Sequence, residues 1–131
     1  MRLAAGGRTD PARRVSVVED CLFCRIASGE LETPFVYESE RVVGFNDINP
    51  QAPIHALFIP REHIATLNDT TEEHRELLGE MILAARGYAA ERGVADDGFR
   101  LNFNCNRDGG QTVFHIHLHL LAGRALGWPP G

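Results

Sequence analysis

The most regular hydrophobic pattern in the chain follows Thr70, where Leu77, Leu78, Met81, Ile82, Ala85, Tyr88 and Ala89 recur at steps of three and four. That spacing gathers apolar side chains on one helical face, so a helix is predicted from Thr70 to about Arg92, packed on a sheet. Thr70 and Glu73 have the spacing of a capping box, and Gly93 is placed to end the helix. Elsewhere the period shortens. A short helical turn is expected from Cys21 to Ala27 before Gly29, then strands from Phe35 to Glu38 and from Arg41 to Asp47 around a Ser39-Glu40 turn. Pro50 and Pro53 make the stretch from Asn49 to Pro53 a loop, because proline lacks a backbone donor and restricts its predecessor. His55 to Ile59 is the next strand. Phe99 to Cys105 and Val113 to Leu121 are the last two, joined by Asn106-Arg107-Asp108-Gly109-Gly110, a run of turn-forming residues. Five strands with one long and one short helix in this order predict the α+β class, a five-stranded antiparallel sheet with a helix on one face.

Composition narrows the picture without redirecting it. A chain of 131 residues fits one domain with a sizeable core, and 44% hydrophobic with 24% charged residues is ordinary for a globular protein. Residues 1–18 are rich in Arg, Ala and Gly and show no sustained period, so a flexible extension is expected there and a single domain over 19–131. The net charge of -5 gives no broad reason to bind nucleic acid polymer or an anionic membrane, which favours a small-molecule partner. No apolar run reaches membrane-spanning length and the first residues lack a secretory stretch, so the expected location is cytoplasmic. Three cysteines, two of them in Cys21-Leu22-Phe23-Cys24, suit a metal or redox pair in a reducing compartment better than a disulfide framework.

The chemistry concentrates near the end of the chain. Alternation along a strand places His115, His117 and His119 on one side and Ile116, Leu118 and Leu120 on the other. Rings separated by about 6.6 Å of strand rise are wide for three ligands on one metal. An imidazole with an ordinary pKa of about 6.5 is largely neutral at cell pH, and its free nitrogen can attack phosphorus. Gly109, Gly110, Gln111 and Thr112 directly upstream offer backbone N–H groups and a hydroxyl for phosphate oxygens, or else a simple hairpin turn. The CxxC pair would complete a four-ligand zinc site with two histidines drawn from His55, His63, His74 and the alternating row, and spacing alone does not separate His55 from His63. His74 is expected to be solvated on the polar face of the long helix. Asp47 reads either as a carboxylate for ribose hydroxyls or as a turn-initiating residue before Asn49-Pro50.

The run His115-Ile116-His117-Leu118-His119-Leu120-Leu121 resembles the signature of the histidine-triad nucleotide-binding family. The resemblance extends from Cys21 to Gly131 through the segments around Asp47, His63 and Gly110, and its ending Trp128-Pro129-Pro130-Gly131 is similar to the Hint branch. It implies a homodimer whose two sheets join, with Trp128 reaching toward the neighbouring site as a dimer and specificity element. It also implies hydrolysis of purine nucleoside 5′-phosphoramidates, with adenosine or guanosine monophosphate bound and His117 transiently nucleotidylated. His119 and Thr112 would stand beside the leaving group, and Asp47 would hold the ribose. Leu22, Phe23, Phe45 and Ile48 would surround the base, with Asn104, Gly110 and Gln111 near the phosphate and the His117 ring. Zinc-bearing bacterial relatives imply Cys21, Cys24, His63 and His115 as ligands of a structural Zn2+. Two positions depart from the pattern: Thr112 stands where relatives have serine, which keeps the hydroxyl but stiffens χ1, and Asn46 stands where they often have histidine. A non-catalytic purine nucleotide sensor or scaffold of the same fold, or a hydrolase using the row as catalytic metal ligands, are the rival readings.

Overall fold

The computed structural model describes residues 20–131, so the extension expected over 1–18 lies outside the described residues. Helix α1 (Leu22–Ala27) leads into strands β1 (Tyr37–Glu38), β2 (Val42–Asn46) and β3 (Ile54–Pro60). Two 3-10 turns, Leu67–Asp69 and Glu72–His74, precede helix α2 (Arg75–Glu91), and β4 (Phe99–Phe103) and β5 (Leu118–Ala122) follow. The strands form one antiparallel sheet in the order β1-β2-β3-β5-β4. This is the predicted α+β architecture, with shorter strands.

Both faces of the sheet are covered, which explains why all seven residues of β3 are buried. On one face Val42, Ala56, Phe58, Leu118 and Leu120 pack against Leu77, Met81, Ala85, Tyr88 and Ala89 of α2. On the other, Val43, Phe45, Leu57 and Ile59 pack against Phe23, Ile26 and Ala27 of α1. Alternation along each strand therefore sorts the chain into a helix side and a site side. Gly44 is required on the helix side, because a Cβ there would stand 2.5 Å from the Phe58 ring.

The long helix starts five residues later than the expected cap at Thr70 suggested. Thr66 and Asp69 form a first capping box, and Thr71 caps a second turn, its hydroxyl accepting from Glu73 N–H at 3.2 Å. The reciprocal acceptor is His74 Nδ1, 2.9 Å from Thr71 N, in place of the expected Glu73 carboxylate. His74 is thus a cap with Glu62 beside its other nitrogen at 3.4 Å, where a solvated side chain was expected. Ile82, placed in the buried stripe by spacing, is exposed, and Ala84 is buried instead. Gly93, at φ 77°, ends the helix where predicted.

Candidate active site

The last strand was expected to begin at Val113, but ladder pairing starts only at Leu118. Upstream of it the chain peels away to the 60–66 segment: Ile116 N–H donates to Ile64 O at 2.8 Å. His115 and His117 therefore lie outside the strand, and the expected single row divides. The buried His115 ring turns toward the cysteines, while His117 and His119 line a cavity on the site side of the sheet.

His115 belongs to a four-residue cluster. Its Nδ1 lies 3.3 Å from Cys21 Sγ and 3.6 Å from Cys24 Sγ, and His63 Nδ1 lies 3.3 Å from Cys24 Sγ. All four donor atoms fall within 4.8 Å of one another. A tetrahedral zinc with sulfur at about 2.3 Å and nitrogen at about 2.0 Å spaces its ligands by about 3.5 Å, so this set fits the ion. The other nitrogen of His115 is fixed as a donor to Pro60 O at 2.7 Å, which aims Nδ1 at the cysteines. The hydrogen bond from the Cys24 thiol holds the Cys21 thiol down at about 3, His115 helping and burial opposing. A thiolate is the form a metal takes. The structure thus selects His63 over His55 for this cluster.

His55 goes elsewhere, and its place identifies protons. Gln51 N–H donates to His55 Nδ1 at 2.9 Å, so a neutral His55 carries its hydrogen on Nε2. That Nε2 lies 2.9 Å from His119 Nδ1, which must then accept, leaving the hydrogen of a neutral His119 on Nε2. The His119 Nε2 atom is buried and without a partner in the protein. His117 is fixed in the opposite sense: its Nδ1 lies 2.8 Å from His115 O, and a carbonyl only accepts, so Nε2 of neutral His117 carries the lone pair. The two rings, with centroids 4.9 Å apart, thus present one nucleophilic nitrogen and one N–H donor.

Burial keeps these rings neutral. It pushes His117 below the ordinary imidazole range, against the opposing hydrogen bond to His115 O. Burial first, then the neighbouring His117 and His55, lower His119 to about 4. His55 is lowered by burial, with Asp47 opposing.

The cavity measures about 570 Å³. Leu22 and Phe23 of α1 form one wall with Phe45 and Ile48, and the Phe23 ring meets His117 edge-on at 5.1 Å. Asp47, Asn104, Gly110 and Thr112 line the same space as His117 and His119. Asp47 takes up the turn contact foreseen for it and also faces His55. Its Oδ1 accepts from Asn49 N–H at 2.9 Å in a local turn, and its Oδ2 lies 3.5 Å from His55 Nε2.

Two expected site residues stand outside this lining. The Gln111 amide is committed to backbone, donating to Ala65 O at 2.7 Å and Val113 O at 3.0 Å and accepting from Asn106 N–H at 2.8 Å. Through these bonds it braces the loop. Trp128, 83% exposed, lies on the surface of its own chain. Of the two readings of the glycine segment, the turn is the one seen: Gly110 N–H and Gln111 N–H close on Arg107 O and Asn106 O. Sequence reasoning missed Asn46, Thr33, Gln51 and His55 as lining residues. For His55 a signal existed, because it shares strand parity with Leu57, the residue paired with His119.

A family model described as "Scavenger mRNA decapping enzyme C-term binding" matches residues 20–126. The chain is also 48% identical over 111 residues to a purine nucleoside phosphoramidase of Escherichia coli (strain K12), covering 85% of this chain and 93% of that protein. The chain belongs to the histidine-triad family. Solved histidine-triad structures agree with the fold described above. A HIT family hydrolase from Legionella pneumophila superposes with a TM-score of 0.83 at 50% identity, covering 85% of this chain and 99% of that one. A histidine triad protein from Clostridium difficile gives 0.83 at 41% identity, with 86% and 97% covered. In this histidine-triad chain the three histidines of the name have three different settings.

Proposed function

We propose that this chain is a purine nucleoside 5′-phosphoramidate hydrolase working through a nucleotidyl-histidine intermediate on His117. The observation that carries the reading is the fixed tautomer of His117, whose Nδ1–H is held by His115 O inside the nucleotide-sized cavity. The similarity to the Escherichia coli purine nucleoside phosphoramidase supports the substrate class.

In the first step His117 Nε2 attacks the α-phosphorus, the P–N bond breaks, and its electron pair leaves on the amine. An amine leaves phosphorus poorly unless protonated, and the unpartnered N–H of His119 together with Thr112 supplies the donors on that side. In the second step water attacks phosphorus, the bond to His117 breaks, and the nucleoside monophosphate departs. Asp47 takes the ribose hydroxyls, and Leu22, Phe23, Phe45 and Ile48 enclose the base. Asn104 and Gly110 lie at the phosphate, with Gln111 holding the loop that carries Thr112. Residues 19–131 form the domain that does this.

Cys21, Cys24, His63 and His115 would hold a structural Zn2+, which when bound cross-links α1 to the segment carrying the triad and leaves no open position for substrate. A thiol-rich site of this kind suits a reducing compartment, which favours the cytoplasm. Among the described residues no helix is long and apolar enough to cross a membrane. The working form is a homodimer joined at the β4 edge, with Trp128 of each subunit offered to its neighbour.

Incubation with adenosine 5′-phosphoramidate and acid-free trapping tests the chemistry. The expected result is release of adenosine monophosphate and a phosphorus adduct mapped to His117 by mass spectrometry. Turnover no greater than that of His117→Ala, with nucleotide still bound, would replace the enzyme by a nucleotide sensor.

A further inference from the structure

A second set of metal-ligating side chains lies inside the cavity, sharing no residue with the cysteine cluster. Asp47, His55 and His119 bring one ligand atom each to within 4.8 Å of the others. His55 Nε2 lies 3.5 Å from Asp47 Oδ2 and 2.9 Å from His119 Nδ1. Two ligands at about 2.0–2.1 Å from a tetrahedral zinc stand about 3.3 Å apart, so the pairs bracket the required spacing and a small parting of the two rings meets it.

We infer that Asp47, His55 and His119 form an inhibitory Zn2+ site in the nucleotide cavity. The donor set of two imidazoles and one carboxylate selects a borderline d-block ion over Mg2+ or Ca2+, which require mostly oxygen. Three protein ligands leave one position open toward the cavity, so the ion is exchangeable, unlike one closed by four ligands. His55 now carries its hydrogen on Nε2; seating the ion moves that hydrogen to Nδ1 at the expense of the Gln51 N–H contact. The two rings therefore share either a proton or a metal ion, with no proton lost from His55.

Inhibition follows from what the ion occupies. It takes the Asp47 carboxylate proposed for ribose and the His119 nitrogen through which His55 orients that ring. Nucleotide and ion then exclude each other. This consequence rests on the proposed phosphoramidase reading, whereas metal binding itself does not.

The test uses the full-length protein carrying one equivalent of zinc, titrated with further Zn2+ and, in parallel, with Co2+ as a spectroscopic probe. Uptake of a second equivalent is expected, displaced by adenosine monophosphate and accompanied by loss of phosphoramidase turnover that a mild chelator restores. In the cobalt titration of this zinc-loaded protein, the cobalt taken up adds visible tetrahedral absorption without the near-ultraviolet charge-transfer band that a cobalt–thiolate site would give. His55→Gln, whose amide can still donate to His119 but lacks the imidazole ligand, is expected to lose the second equivalent and keep the first. Cys24→Ser serves as the reciprocal control, weakening the first equivalent alone. A protein that takes only one equivalent, a second equivalent retained by folded His55→Gln or indifferent to nucleotide, or turnover raised by the added zinc would overturn the inference. Absence of turnover before zinc is added would instead count against the phosphoramidase reading, while the stoichiometry still decides the site.

Discussion

At the residue scale the active site depends on which nitrogen of each ring holds a proton, and backbone partners make that choice. The His115 carbonyl leaves His117 with a lone pair at Nε2, and the Gln51 amide sets a relay through His55 that leaves His119 a donor. His55 is therefore a positioning residue. Replacing it with leucine removes the donor to His119 and frees that ring to adopt the other tautomer, with a lone pair where the leaving amine needs a hydrogen. The expected outcome is a fall in kcat of about 10²-fold, the worth of a proton-transfer group, with little change in KM. His55→Gln should recover part of the loss, because its amide still donates. A KM effect alone, or equal losses in both variants, would reduce His55 to packing. Which histidine did what was only partly legible in the chain. Alternation grouped His117 and His119, which do line one cavity, but it put His115 on the same face, because the local turn toward Ile64 depends on a contact from fifty residues away. Asp47 was legible as a carboxylate at a strand end, yet its approach to His55 needed the β2–β3 pairing.

At the element scale, short pieces held by side chains matter more than long regular ones. Helix α1 has six residues, too few for independent stability, and its N-cap is Cys21, whose sulfur accepts from Cys24 N–H at 3.3 Å. The same two cysteines face His63 after β3 and His115 before β5, so the proposed zinc joins three segments. Stripping the metal with a strong chelator should lower the thermal midpoint by more than about 10 °C, since about 1 kcal/mol shifts a domain of this size by roughly 3–6 °C and a structural zinc contributes several. Differential scanning calorimetry reads this directly, and Cys24→Ser should show the same fall without chelator. An unchanged midpoint would remove zinc from the account of the fold. Element existence was well predicted from pattern, because both the helix stripe and the strand alternation reflect burial on a sheet. Element ends were not. Two threonines in succession offered caps, and His74 took the role read for Glu73 because its ring nitrogen reaches the Thr71 N–H.

At the scale of the whole molecule, the sheet has two unlike edges. Strand β1 has two residues, while β4 has five, with Phe99, Leu101 and Phe103 only partly buried against the core. A five-residue, half-apolar edge strand with no further strand beside it among the described residues is a template for pairing with a second copy. The Trp128 ring, 83% exposed, is a large aromatic group on the tail that the proposed partner would cover. If the tail completes the neighbour's cavity, subunits must complement one another. His117→Ala is expected to be inactive but to retain Trp128, and Trp128→Ala to retain the nucleophile but turn over slowly. Each mixed dimer would hold one cavity with its own His117 and the neighbour's Trp128. Adding the inactive His117→Ala protein to Trp128→Ala, after exchange at low concentration, should therefore raise the rate. A sedimentation mass near about 29 kDa, twice the 14.5 kDa chain, should accompany it. A monomeric mass, or a rate that only falls with dilution by the inactive partner, would confine each active site to its own chain.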